Sequence, residues 1–308
     1  MSIVATLALG LHMMGDQPTA ITKLPHGMQS AFSLEFDDSM TSQVDNVLPL
    51  LAKYRFNATF YLNPASGQYL AQKEVWEKKV PAAGHEIGNH TMHHKDTVGA
   101  EQAESEIGDA AKILHKVVGH PGLMPFATPG GVKWEIPDAD FKRILKDNNL
   151  IFPGRDAFYQ DGQGDITRFP KAALTEEKWH HLGFHGVGGQ WLSTSVETFT
   201  ELLKYLDANR DKIWIAPTGT VWKYIREREA VEGIYMDGKG KIVPTINLEK
   251  LQPLELYDVP LTMQFPLESK VKQVTITVDG VKTVIKNTNG QARFEFKPSA
   301  KSITYKFN

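Results

Sequence analysis

From about residue 30 to about residue 230, short apolar runs of strand length alternate with longer stretches whose apolar residues recur at helical spacing. Parallel strands need a long crossover between neighbours, and a helix is the element that supplies it, so such a chain is constrained to an α/β layout. Ala31–Phe36, Asn57–Leu62, His85–Asn89, Leu123–Ala127, Leu150–Phe152, Trp179–His185 and Ile213–Ala216 are the expected strands. Between them, Val44, Val47, Leu48 and Leu51 mark one amphipathic helix, and Ala103, Ile107, Ala110, Leu114 and Val117 mark another. Ser195 is placed to cap a third, whose apolar face is Phe199, Leu202, Leu203 and Leu206. The expectation is a barrel-like or doubly wound α/β domain.

The character changes near Gly233. Thr262–Phe265, Gln273–Val278, Lys282–Lys286, Ala292–Phe296 and Ile303–Phe307 are short and β-prone, and Asp279-Gly280 between two of them is a hairpin turn signal. The expected organisation is an N-terminal segment at 1–29, an α/β domain at 30–232 and a small antiparallel β domain at 233–308.

Formal net charge is -2, without a Lys/Arg block, which argues against nucleic acid and anionic membrane as partners. A neutral glycan fits better. There is no cysteine, so any metal must sit on histidine and carboxylate. The apolar run Ser2–Met14 lacks the positive start of a secretory signal, the first basic residue being Lys23, and it is too short to span a bilayer. A signal remnant, an added leader and a strand remain open, with export favoured by the substrate class. Oligomeric state is not legible.

Three stretches carry the chemistry. Ser33-Leu34-Glu35-Phe36-Asp37-Asp38 is a strand ending in adjacent carboxylates, which repel unless something uses them. In Gly84-His85-Glu86-Ile87-Gly88-Asn89-His90-Thr91-Met92-His93-His94, His90 and His94 are four residues apart, within reach of one cation. His85 and His93 read as supporting or incidental. Leu182-Gly183-Phe184-His185 places a histidine at the end of an apolar strand. Taken singly these are a solvated turn, two surface histidines and a packed histidine. Each, however, stands at a strand end, where α/β barrels place catalytic groups.

In this order the stretches resemble the NodB-homology polysaccharide deacetylases, carbohydrate esterase family 4. Phe36-Asp37-Asp38 is similar to the family's Asp-Asp motif, His90-Thr91-Met92-His93-His94 to its His-[Ser/Thr]-x-x-His motif, and Leu182–His185 to its Leu-x-x-His motif. Pro129-Gly130-Gly131 sits where the third motif would lie. The resemblance covers about residues 30–230 and implies a distorted (β/α) barrel. It also implies a divalent metal, zinc before cobalt or nickel, held by Asp38, His90 and His94. Asp37 would be the general base and His185 the general acid, with the Gly130 N–H helping to receive an oxyanion. The implied activity is hydrolysis of N- or O-linked acetyl groups on a polysaccharide or oligosaccharide.

One departure stands out. The third motif commonly reads Phe-Arg-x-Pro, its arginine steadying the catalytic aspartate, and here it is Phe126-Ala127-Thr128-Pro129. Arg155, after the Leu150–Phe152 run, is the expected replacement, since a guanidinium can grip a carboxylate through two parallel hydrogen bonds. Arg168 is the competitor, in a Gly- and Asp-rich stretch expected to be a loop. Trp191 is a candidate for the acetyl pocket, and Trp134, Phe158 and Tyr159 for sugar stacking. The alternatives are a small-molecule amidohydrolase on the same barrel and a catalytically silent glycan-binding protein.

Overall fold

The computed structural model describes residues 19–120 and 122–308, and the run Ser2–Met14 lies outside them. Two compact units are present. One comprises residues 28–226 with Glu255–Tyr257; the other comprises 227–254, 258–308 and the described stretch up to Gly27.

The first unit is built on eight parallel strands, labelled here β1 (Ser30–Phe36), β2 (Thr59–Leu62), β3 (Glu86–Asn89), β4 (Met124–Pro125), β5 (Leu150–Ile151), β6 (Ala157–Phe158), β7 (Trp179–Phe184) and β8 (Ile213–Ile215). β1 is central. β7 runs along its whole length, from Trp179 opposite Ala31 to Phe184 opposite Phe36. On the other side β8 pairs with Ser30–Phe32 and β2 with Glu35–Phe36, so the two split that edge. β3 follows β2, one bridge from Asn89 to Phe126 leads on to the β4–β5 pair, and β6 pairs with β7. No ladder joins β5 to β6 among the described residues, so the barrel is distorted and incompletely closed.

Side chains alternate across a strand, and here the alternation sorts polar from apolar. Phe32, Leu34 and Phe36 of β1 join the apolar core, with Phe36 stacked between Phe60 and Phe184 and edge-on to Phe199. Ser33, Glu35 and Asp37 take the opposite face, yet they too are almost wholly shielded from solvent. Their partners are the inward residues of neighbouring strands: Trp179 donates to Ser33 (3.0 Å), and His181 lies 3.2 Å from Glu35. The barrel interior is therefore a polar file inside an apolar shell. The three expected helical stripes fall in the helical stretches 43–54, 99–118 and Val196–Ala208, and Ser195 caps the last by accepting from the Thr198 N–H.

The second unit is antiparallel. Ala20–Ile21, Leu261–Pro266 and Gln291–Phe296 form one sheet; Val231–Met236, Lys241–Ile246, Ile303–Phe307, Gln273–Val278 and Val281–Lys286 form the other. Asp279 and Gly280 both have positive φ (47° and 87°), as a two-residue hairpin requires. The unit begins at Glu227 rather than at 233 because the hairpin of Val231–Met236 and Lys241–Ile246 belongs to it, a strand pair masked in the sequence by Pro244. The described residues 19–27 are likewise not a segment apart, since Ala20 and Ile21 pair with Gln264 and Met263.

Candidate active site

The ends of β1, β3 and β7 bring the three chemical stretches together. Asp38, directly after β1, has a left-handed backbone (φ 72°), as does Ser39 (φ 54°), and this turn follows the strand end at once. His90 Nε2 and His94 Nε2 each lie 3.5 Å from Asp38 Oδ1. One ligand atom from each of the three residues falls within 4.8 Å of the others. For metal–ligand bonds of about 2.0–2.1 Å, tetrahedral geometry spaces ligands about 3.3 Å apart, so 3.5 Å suits a shared cation.

The tautomers fit the same reading. His90 Nδ1 is 2.9 Å from the Ala127 carbonyl, which can only accept, so that nitrogen carries the proton and Nε2 keeps its lone pair toward Asp38. Burial opposes a charged His90, but Asp37 and Asp38 outweigh it and hold its pKa above the ordinary value. The field that draws a proton there would also draw a metal ion. The His94 loop is tied down by Glu106, fully buried, which accepts from the His93 N–H (2.8 Å), contacts the His93 ring (2.8 Å) and pairs with Lys95 (3.1 Å). Two histidines set aside in the sequence are thus accounted for. His93 anchors this loop, and His85 accepts from the Ala58 N–H (3.3 Å) away from the cluster.

Asp37 is buried and gripped. Arg155 Nη1 donates to Oδ2 (2.7 Å) and Nη2 to Oδ1 (2.8 Å), while Nε donates to Glu35. Burial pushes the Asp37 carboxyl up; Arg155, and then His90, push it down further and leave it below the usual carboxylate range. Asp37 is therefore an anion with fixed orientation, 3.7 Å from His90 Nε2. The guanidinium also lies over the Phe158 and Tyr61 rings, 4.2 and 5.1 Å from their centroids. Gly183 makes room for it, since a Cβ there would meet Arg155 Cδ at 2.7 Å. Arg168 lies elsewhere: it opens the helix Arg168–Glu176, a helix missed in the sequence, and donates to the Gln163 and Asp165 carbonyls.

His185 follows β7 with Nε2 3.9 Å from Asp38 Oδ2, its ring stacked on Phe158 at 4.7 Å. Burial lowers its pKa, with Asp37 and Asp38 pulling the other way. Gln43 Nε2 donates to the carbonyls of both Asp37 (2.6 Å) and His185 (3.0 Å), which locks the two strand ends together. Asp156, next to Arg155, accepts from the His181 N–H (2.8 Å). Gly130 and Trp191 are exposed, and no hydrogen bond or ion pair joins either to the cluster among the described residues. Of the stacking candidates, Tyr159 is buried against Phe184 and Trp134 packs on Phe126, whereas Phe158 keeps an exposed face.

Glu35, Gln43, Glu106, His181 and Thr218 also hold these elements together, and none of them is among the residues expected from the sequence. Glu35 had a signal, because it stands two residues before Asp37 and shares its face of the strand. Glu106 had none; on a helical stripe an acid reads as solvated.

Residues 27–150 match the family model for polysaccharide deacetylase. The chain is 36% identical over 117 residues to the peptidoglycan-N-acetylglucosamine deacetylase of Bacillus cereus, covering 37% of this chain and 51% of that protein. It is 37% identical over 79 residues to the chitooligosaccharide deacetylase of a Bradyrhizobium species, covering 25% and 34%. A longer match, 24% identical over 289 residues, covers 81% of this chain and 11% of a gellan lyase from a Bacillus species. The chain thus spans about half or less of the length of these relatives. A solved structure of a Mycobacterium smegmatis protein assigned as a polysaccharide deacetylase shares the fold, with a TM-score of 0.50 at 14% identity, covering 69% of this chain and 96% of that one.

Proposed function

We propose that the protein, whose residues 27–150 match the family model for polysaccharide deacetylase, is a metal-dependent hydrolase that removes N- or O-linked acetyl groups from a polysaccharide or oligosaccharide. The observation that carries this reading is the meeting of Asp38, His90 and His94 beside a second carboxylate, Asp37, held as an anion by Arg155. A divalent ion in that N,N,O donor set, zinc before cobalt or nickel, would supply Lewis acidity toward the acetyl carbonyl and the attacking water.

The protein's own groups do the rest. Asp37 takes the proton of the attacking water: it is anionic, oriented, and spared from ligation by its two bonds to Arg155. His185 holds the proton for the leaving nitrogen or oxygen, its ring kept in plane by Phe158. The Gly130 N–H, on an exposed loop, is the proposed donor to the oxyanion, and Trp191, 63% exposed, a proposed lining residue of the acetyl pocket. The β unit carries no residue of this set.

The test is acetate release from a panel of acetylated glycans (chitin oligomers, peptidoglycan fragments, acetylated xylan), with and without added metal. Metal-stimulated release from at least one is expected. Glycan binding without release by metal-loaded protein would favour a silent binding protein instead.

A further inference from the structure

Among the described residues, Glu35 bonds to the arginine that holds Asp37 and to no member of the Asp38, His90 and His94 cluster. It is fully buried inside the barrel. Its carboxylate accepts from Arg155 Nε, from Thr218 Oγ1 (2.5 Å) and, at longer range, from Tyr61 Oη (3.5 Å), with His181 Nδ1 at 3.2 Å. These partners come from different parts of the unit: Tyr61 from β2, His181 from β7, Arg155 from just before β6, and Thr218 from the start of the helix after β8. Burying a carboxylate costs several kcal/mol unless it is paired and fully hydrogen-bonded, and the whole interior of the barrel is arranged to pair this one.

The geometry says what it does. An arginine that met only Asp37 could swing about its Cδ–Nε bond and carry the carboxylate with it. Here the third donor, Nε, is taken by Glu35, so the guanidinium plane is held from two sides and both Nη atoms face Asp37. Glu35 and Asp37 are two residues apart on one strand, which fixes the spacing of the two anions along the edge of the fork. Thr218 in turn is held by its own N–H on Thr59 Oγ1 (2.9 Å), and Thr59 donates to Glu86 (2.7 Å). The file therefore runs down the barrel interior and keeps Glu35 from following Arg155.

We infer that Glu35 is a positioning residue for the hydrolytic reaction: through Arg155 Nε it fixes the direction in which Asp37 presents its oxygens, work that an arginine at position 127 would otherwise do. The inference rests on the deacetylase reading above. A merely structural ion pair would lower stability and leave turnover per folded, metal-loaded molecule alone. A positioning residue lowers kcat, because misplacing a reacting group by about 1 Å costs on the order of 100-fold.

The experiment uses the full chain loaded with Zn²⁺ and an acetylated chitin oligomer, or whichever panel glycan the wild type deacetylates. Glu35→Gln keeps the shape and removes the charge. Its kcat should fall about 10- to 100-fold with KM within about threefold and metal content unchanged. In an Arg155→Lys background, where there is no fork to orient, the same substitution should cost less than about threefold further. Thr218→Val removes the hydroxyl that steadies Glu35 and should lower kcat several-fold, with Thr218→Ser restoring it; this pair decides the matter if Glu35→Gln does not fold. Normal kcat in folded Glu35→Gln, full additivity with Arg155→Lys, or normal kcat in Thr218→Val overturns the inference while the deacetylase reading stands. A metal-loaded wild type that releases no acetate from any glycan of the panel brings down that reading, and the inference with it.

Discussion

Replacing Arg155 by alanine removes the cation between two buried carboxylates, and the structure sets the size of the loss. Arg155 makes three hydrogen bonds to charged acceptors, two to Asp37 and one to Glu35, and both acids are buried. Breaking a buried pair by deleting one partner costs about 3–5 kcal/mol, because the other charge is left without compensation. That is a large share of the roughly 5–15 kcal/mol that stabilises an ordinary domain, so Arg155→Ala should be visibly weaker to urea. The catalytic loss is separate. Burial alone pushes Asp37 up, so without Arg155 this carboxylate is both unaimed and drawn toward its protonated form. The expected fall in kcat is about 10²–10⁴-fold, the range a positioned general base contributes. Metal content should not change, since among the described residues Arg155 bonds to Glu35 and Asp37 and not to Asp38, His90 or His94. Arg155→Lys keeps a charge but not the planar fork, so it should recover stability better than turnover. The assays are acetate release, elemental analysis and urea unfolding on the same preparations. Folded, metal-loaded Arg155→Ala with kcat within about threefold of wild type would refute the reasoning. Arg168 could not then be invoked, because its guanidinium is committed to the Gln163 and Asp165 carbonyls.

Four further outcomes are expected. Chelation should abolish acetate release and Zn²⁺ or Co²⁺ should restore it; full activity in protein shown metal-free by elemental analysis would contradict the assignment of Asp38, His90 and His94. Asp37→Asn should bind metal normally and lose most turnover, and near-normal kcat would remove Asp37 from its role. Gly183→Ala places a Cβ 2.7 Å from Arg155 Cδ and 2.8 Å from the Phe158 ring, so kcat should fall with metal content intact; unchanged kinetics would show that the guanidinium can shift freely. His85 is buried and its pKa is pushed down to about 4 by desolvation, below an ordinary 6.5. The unfolded chain therefore takes up this proton first, and about 3 kcal/mol of stability should drain away as pH falls from 6.5 through 4. His85→Asn should lack that component in urea titrations at pH 7.5 and 4, and parallel pH dependences would exclude it.

The local order of elements and the identity of the metal-binding candidates could be read from the chain, because both rest on short-range pattern. Helical stripes such as Phe199, Leu202, Leu203 and Leu206 form wherever one face can be buried, and strand ends carrying Asp38, His90 and His185 are legible as positions. Elements with weak periodicity were not: the helix Arg168–Glu176 and the hairpin from Val231 have too few buried residues to mark them. Tertiary structure alone decided the surroundings of Asp37. In sequence, Ser33-Leu34-Glu35-Phe36-Asp37 alternates like a strand with one wet face, and Glu35 looks solvated. Closure of β1, β2, β3 and β7 around that face makes it an interior, excludes water from it, and so obliges Glu35 and Asp37 to share a guanidinium from Arg155, 118 residues after Asp37 in the chain. Whether an acid lies in water or in a barrel depends on what the rest of the chain puts over it, and no local pattern records that.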